Sequence, residues 1–237
     1  CKLKNIIEMK KFFIIFCVLV LPLVSFGQEI KSKNVELDDL IVLLGASGYE
    51  LFNFDVTQML NKRYDIVFIK KEFLAGKEIE SSNITMLPNK TLLTDFPESE
   101  RQKLIDEGRV IDIKAQAIAH LKKFSFGFYP SSNDSIKTMQ LNVPGFIVKN
   151  RIQFKMKGFS VKDLDKLFYS YHTRPFKINA FKEDEFIPLL LLGSSWHDKQ
   201  FDVYRFCGER EIEPDMTSEI LKDVPHHYIL GVKFVKK

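Results

Sequence analysis

Residues 124–135 read FSFGFYPSSNDS, and this stretch decides the fold class. Phe124, Phe126 and Phe128 fall on one parity, Ser125, Gly127 and Tyr129 on the other, and 130–135 is a cluster of turn-forming residues. A side-chain period of two marks a strand with one buried face, because successive Cβ atoms point to opposite sides of a pleated chain. The turn cluster then reverses the chain. Residues 146–157, FIVKNRIQFKMK, carry the same period: Phe146, Val148, Ile152, Phe154 and Met156 share a parity with Asn150. Ile147, Lys149, Arg151, Gln153, Lys155 and Lys157 hold the other parity. One apolar wall and one basic wall predict an antiparallel sheet with a solvated face.

Further strands are expected upstream at 49–57, where Phe52, Phe54 and Val56 alternate, and at 63–74, rich in β-branched and aromatic residues, with Ala75-Gly76 as a reversal. Ile84–Leu87 and Thr91–Leu93 flank Pro88-Asn89 and read as a short hairpin. Downstream, strands are expected at 175–181, 185–192, 200–207 and 226–235, the last burying Tyr228, Leu230, Val232 and Phe234 on one face. Helices are expected at 35–44, although a buried strand fits the same residues, and at 97–107, where Pro97 opens the helix, Glu98 and Glu100 complement its positive end, and Gly108 closes it. Leu164, Leu167, Phe168 and Tyr171 at helical spacing predict a helix over 161–171, and Asp215 or Thr217 caps a last short one ending before Pro225. The pattern is an α+β fold, mainly antiparallel sheet with three to four short helices. KRYDIVF (62–68) and KQFDVYRF (199–206) are faintly alike, so 28–237 reads as one domain with a possible sub-division near Gly158.

Residues 9–28, MKKFFIIFCVLVLPLVSFGQ, have the layout of a secretory signal peptide: Met9, basic Lys10 and Lys11, an apolar run, then small residues at Ser25 and Gly27 before Gln28. The run is shorter than the roughly 20 residues of a membrane span and is interrupted by Pro22, so cleavage before Gln28 is expected over a retained anchor, leaving no transmembrane helix. Residues 1–8 precede that methionine and read as upstream translation. The leader distorts the totals. It holds Lys2, Lys4, Lys10 and Lys11 against Glu8, so residues 28–237 keep 31 of the 35 basic and 30 of the 31 acidic side chains. A near-neutral chain gives no argument for a nucleic-acid partner. Cys1 and Cys17 also go, leaving Cys207 alone, so no intrachain disulfide forms.

Catalytic fingerprints are absent. No G-x-G-x-x-G follows a strand, there is no phosphate-cradling G-x-x-x-x-G-K-[ST], and Gly45-Ala46-Ser47-Gly48 lacks the G-x-S-x-G frame. No cofactor is implied. The candidate ligand platform is Trp196, His197 and Asp198, where an aromatic plate stands beside an imidazole and a carboxylate, against a packing role for the ring. His197, Asp198 and His226 form a candidate metal set, although His226 and His227 are adjacent in a strand and face opposite ways, so at most one joins. Lys149, Arg151, Lys155 and Lys157 are a candidate docking face for an anionic glycan or acidic partner, or simply a solubilising wall. Cys207 has only Arg205 and Arg210 near in sequence and reads as an inert thiol.

FIPLLLLGSSWHDKQFDVYRFCGEREIEPDMTSEIL (186–221), PHHYILGV (225–232) and GYELFNFDV (48–56) together resemble an exported family of unknown function found in gut-type Gram-negative anaerobes. The resemblance implies one family unit over nearly all of the chain after the leader and brings no activity or catalytic residue. The expectation is an exported envelope or secreted protein, periplasmic or released, that acts as a non-catalytic binding or interaction module. The alternatives are a hydrolase, possibly metal-dependent, using His197, Asp198 and a C-terminal histidine, and a structural component that joins an envelope-protein partner.

Overall fold

The computed structural model describes residues 37–146, 148, 151–160, 166–178, 181–198, 200–205 and 210–237. The segment expected to be a leader, Lys149 and Cys207 lie outside the described residues. The chain divides into two units, Cys1–Ile41 and Val42–Lys237. Helix α1, Leu37–Ala46, takes the helical alternative of its sequence, and the two sheets below belong to the second unit.

The first sheet has four strands in the order β1-β6-β7-β8, with β1 Glu50–Asp55, β6 Lys123–Tyr129, β7 Ile136–Asn142 and β8 Arg151–Lys155. The second has five in the order β11-β12-β15-β2-β3, with β2 Tyr64–Leu74, β3 Lys77–Pro88, β11 Tyr171–Pro175, β12 Phe186–Ser194 and β15 His226–Lys236. Every ladder in both is antiparallel. The inner faces meet in one aromatic core: Phe68 of β2 lies 4.9 Å from Phe124 of β6, and Phe154 of β8 lies 5.0 Å from Tyr228 of β15, edge to face. The architecture is therefore close to all-β, two sheets packed face to face, with the helices α1, α2 (Glu98–Asp106) and α3 (Glu219–Asp223) as minor parts. The expected mainly antiparallel sheet with three short helices is present, and the balance lies nearer all-β than α+β.

A second, smaller core covers the outer face of the five-stranded sheet, where Leu191 and Ile229 meet Phe176, Ile212, and Ile220, Leu221 and Val224 in and after α3. Strand β15 serves both cores. Tyr228, Leu230, Val232 and Phe234 enter the sandwich as predicted, and Ile229 the second core. Ala75 and Gly76, at φ 49° and 74°, form the two-residue reversal between β2 and β3 that a right-twisted hairpin favours.

Five expectations are corrected. Over 166–171 there is no helix: Leu167–Phe168 (β10) pairs with Phe159–Ser160 (β9), and Tyr171 begins β11. Tyr171 and Thr173 are poor helix formers, and β12 offers them a ladder. The strand expected at 175–181 accordingly ends at Pro175, beyond which Phe176 makes a single bridge to Ile212. The strand expected from 146 starts at Arg151, with Phe146 in a turn, and β7, unmarked in the sequence reading, fills the place between β6 and β8. The strand expected at 200–207 is Val203–Arg205 (β14), paired with Trp196–Asp198 (β13).

Pro88-Asn89 is not a hairpin turn either. Lys77–Pro88 stays with β2 throughout, and Lys90–Leu92 (β4) pairs with Ala117–His120 (β5). Asn89, fully buried, stands where the chain changes sheet. Its Oδ1 accepts from Tyr64 N (3.0 Å), while its Nδ2 donates to Met59 O (2.8 Å) and Lys62 O (3.0 Å). Both amide hydrogens and one lone pair of the oxygen are used.

In β12 the register shifts between Pro188 and Leu190, so Leu189 is the extra residue of a bulge and both Leu189 and Leu190 face the sandwich core. Pro188, without an N–H, sits at that irregularity, where a strand tolerates it. The bulge brings β12 against Gly231: a Cβ there would stand 2.3 Å from Ile187 O and 2.6 Å from the Phe186 ring.

Asn89→Ala leaves one donor and two acceptors without their partner, and a loss of about 2–4 kcal/mol is expected by urea unfolding. Gly231→Ala forces β12 from β15 at the bulge, and a loss of about 3 kcal/mol is expected in the same measurement.

Candidate functional site

The principal cavity opens at the side of the sandwich, where the edge of one sheet faces the edge of the other. Strand β11 pairs with β12 only from Leu190 to Ser194. Phe176 N still donates to Leu189 O at 3.0 Å, after which Lys177 N turns to Ile212 O, so among the described residues Ile187 has no strand beside it on that side. The result is a cleft of about 690 Å³. Its walls are Phe54, Val56, Met59, Phe124, Val232 and Phe234, with Ile178 and Phe181 across from β1 and with Asn53, Asp55, Thr57 and Gln58 as its polar members. Above it, Glu50 closes the side by bridging the sheets, accepting from Lys137 Nζ at 2.6 Å and from the Thr173 hydroxyl. A cleft of this size and lining suits an apolar group. The Asp55 carboxyl is held below its ordinary range by the Thr57 N–H, which donates to its Oδ1 at 2.7 Å, so it is ionised at neutral pH.

The residues singled out in the sequence lie elsewhere. Trp196 is half-buried against the second core. His197 is exposed, its Nε2 3.0 Å from Asp202 Oδ1 and its ring 4.9 Å from that of Tyr204. Asp198 Oδ2 pairs with Arg205 Nε at 2.7 Å, and its Oδ1 accepts from Gln200 N. His226 is buried in the sandwich and does not join them. Among the described residues no three His, Cys, Asp or Glu side chains gather as a metal site. Arg151, Lys155 and Lys157 are exposed in alternation with Ile152, Phe154 and Met156, on the edge strand β8 and the residues after it. The Arg151 guanidinium lies 5.3 Å from the Tyr129 ring centroid.

His226 instead belongs to a buried relay absent from the sequence reading. Its Nε2 lies 2.9 Å from Glu72 Oε1 and its Nδ1 is hydrogen-bonded to the Tyr171 hydroxyl, which accepts from Lys157 N at 2.8 Å. A carboxylate accepts only, so Nε2 carries the proton and the phenol donates to Nδ1. Burial pushes the Tyr171 phenol up to about 12, which makes it a donor and not a nucleophile. Tyr228 O–H donates to Lys155 O at 2.8 Å beside it. No member of the relay lines the cleft, and its geometry ties β8 and the segment after it to the five-stranded sheet. A one-chain reading had no signal for it, since Glu72, Tyr171 and His226 are far apart in sequence.

His227 points the other way, its ring stacked on Phe73 at 4.8 Å with 9° between planes. Burial lowers its pKa to about 4, and burial likewise lowers that of His226 against the opposing pull of Glu72. Both folded values lie below the unfolded one of 6.5, so the unfolded chain takes up these protons first as pH falls. Stability is full above about pH 6.5 and drains as pH falls toward about 4, by about 3 kcal/mol for His227 alone. Urea midpoints at a series of pH values check this, and His227→Phe, which keeps the stack on Phe73, is expected to flatten much of the slope.

A family model described as a domain of unknown function (DUF5041) matches residues 23–236. No match is found among curated proteins or among solved structures. The family match covers both sheets, the cleft between their edges and the buried relay, and the chain belongs to this domain family of unknown function, DUF5041.

Proposed function

We propose that the protein is exported and acts as a non-catalytic binding module that seats an apolar group of its ligand in the cleft between the sheet edges. The carrying observation is the cleft, whose apolar walls stand open at a place where the same strands are closed a few residues away by Glu50 and Thr173. Apolar surface left accessible in this way favours a ligand that covers it. The cleft is preferred to the Trp196–Asp198 segment because the polar groups there pair with one another, His197 with Asp202 and Asp198 with Arg205. Export rests on the leader-like residues 9–28. Among the described residues no helix is long and apolar enough to cross a membrane.

A neutral fluorophore such as N-phenylnaphthylamine tests the site. Saturable enhancement of its emission is expected, and Ile187→Asp, a carboxylate in a half-buried wall position, is expected to weaken binding by about tenfold or more without loss of the β circular-dichroism spectrum. Absence of saturable binding, or binding indifferent to Ile187→Asp, overturns the assignment.

A further inference from the structure

We infer that the cleft is a strand-addition site, and that its ligand is an extended peptide segment of alternating apolar and polar residues that pairs with the free edge of β1. This deepens the reading of the cleft as the ligand site and rests on it. The pairing pattern supplies the donors and acceptors. Val56 N donates to Lys122 O, and in the β1–β6 register Glu50, Phe52 and Phe54 follow Val56 at steps of two opposite Phe128, Phe126 and Phe124. In an antiparallel ladder bonded and non-bonded pairs alternate, so these are the bonded positions. The N–H and C=O groups of Leu51, Asn53 and Asp55 therefore point away from β6. Among the described residues none of these backbone groups has a backbone partner, and β1 pairs with no second strand.

The cleft lies against this edge. Asn53, Phe54 and Asp55 line it consecutively, across both parities, so it borders the strand's edge as well as the inward Phe54 ring. An added strand would turn every second side chain toward Phe54, Phe124 and Leu189 and the rest toward solvent. Main-chain bonds would supply generic affinity and the cleft the selectivity for apolar side chains.

The other three edges of the two main sheets are guarded along their length, and this one is not between its ends. Edge strand β3 carries Lys77, Glu78 and Glu80, ends in Pro88, and has two register shifts against β2. Edge β8 carries Arg151 and Lys155, and edge β11 carries Arg174 and Pro175. Such features deter pairing with a stray strand. Strand β1, ELFNFD, carries charges only at its two ends, Glu50 held by Lys137 and Asp55 by Thr57 N; Leu51–Phe54 between them hold no charge and no Pro, and the strand pairs with β6 without a register shift.

The test uses the whole chain and a short soluble peptide alternating valine and threonine between terminal lysines, followed by calorimetry and by displacement of the neutral fluorophore. The peptide is expected to bind and displace. Methylating its backbone nitrogens on one parity is expected to weaken it by about tenfold or more, and on the other parity by less than about twofold. Leu51→Pro removes an outward N–H while sparing the β1–β6 ladder, at a position outside the cleft lining, and is expected to weaken peptide binding by about tenfold or more yet leave fluorophore binding intact; Leu51→Ala is expected to keep both. Fluorophore binding without peptide competition, or peptide binding equally tolerant of both methylation patterns, overturns strand addition while leaving the cleft as a small-ligand site. Loss of fluorophore binding in Ile187→Asp together with unchanged peptide binding overturns it too, because the peptide then sits elsewhere.

Discussion

Strand β15 is the last strand of the chain, yet it sits between β12 and β2 in the middle of the five-stranded sheet. From His226 to Val232 every residue is buried, with alternate side chains supplying the sandwich core and the second core. The eleven pairs from Tyr64 to Leu74 join it to a strand near the other end of the second unit, so the sheet closes only when distant segments meet. The loop-closure entropy must be spent before any of that apolar burial is realised. Both cores, and the bulge opposite Gly231 that shapes the cleft floor, follow from β15 being in place.

The cleft and the second core share one structural cause. Strand β11 stops at Pro175; Phe176 still donates its N–H to Leu189 O and, on the parity of Arg174, is buried on the outer face with Leu191 and Ile212. Pro175 O and Lys177 N then bond Ile212, so the chain follows the second core and not β12, and Ile187 stays uncovered on that side among the described residues. Opening the side thus accompanies covering the outer face. Glu50 marks where closure ends, since its carboxylate binds Lys137 within its own sheet and Thr173 across the gap.

Strands whose one face is buried were legible: the phenylalanines of β6, the basic wall at Arg151–Lys157, and the even residues of β15 carry their parity openly. Helix α2 was legible from its local signals, with Glu98 and Glu100 in the first turn and Gly108 at φ 64° after the last. Where neighbours far away decide, the pattern misled. Leu164, Leu167, Phe168 and Tyr171 suit a helix locally, but Tyr171 is claimed by Ser194 opposite it in β12. The run Leu189–Leu192 has no visible parity, because a strand covered on both faces and carrying a bulge is apolar at every position. The cleft was not legible at all: each of its apolar walls reads as ordinary core, and only the turn of the chain to Ile212 after Phe176 leaves them uncovered. Trp196–Asp198 drew notice through residue type, whereas β1 is a candidate through an edge that no second strand among the described residues covers, a feature no residue type announces.

The chain holds 22 phenylalanines, and apolar rings are poor at distinguishing one register from the next. Against β12 only Gly231 fits the bulge, but against β2 a slip of two residues along β15 would keep every side chain on its face and exchange one buried ring or aliphatic group for another at small cost. Polar groups remove that degeneracy. Glu72 stands opposite Tyr228 and diagonal to His226, which in turn meets Tyr171 from β11. The slip would break the set of hydrogen bonds that joins Glu72, His226 and Tyr171, at a cost of about 1–3 kcal/mol for each buried polar atom left unpaired. Asn89 does the same at the opposite end of β2, where its amide holds Tyr64 N and the carbonyls of Met59 and Lys62. The aromatic core therefore supplies the driving force, while two buried polar hubs at the two ends of β2 select the register in which β12, β15 and β1 take the positions that frame the cleft.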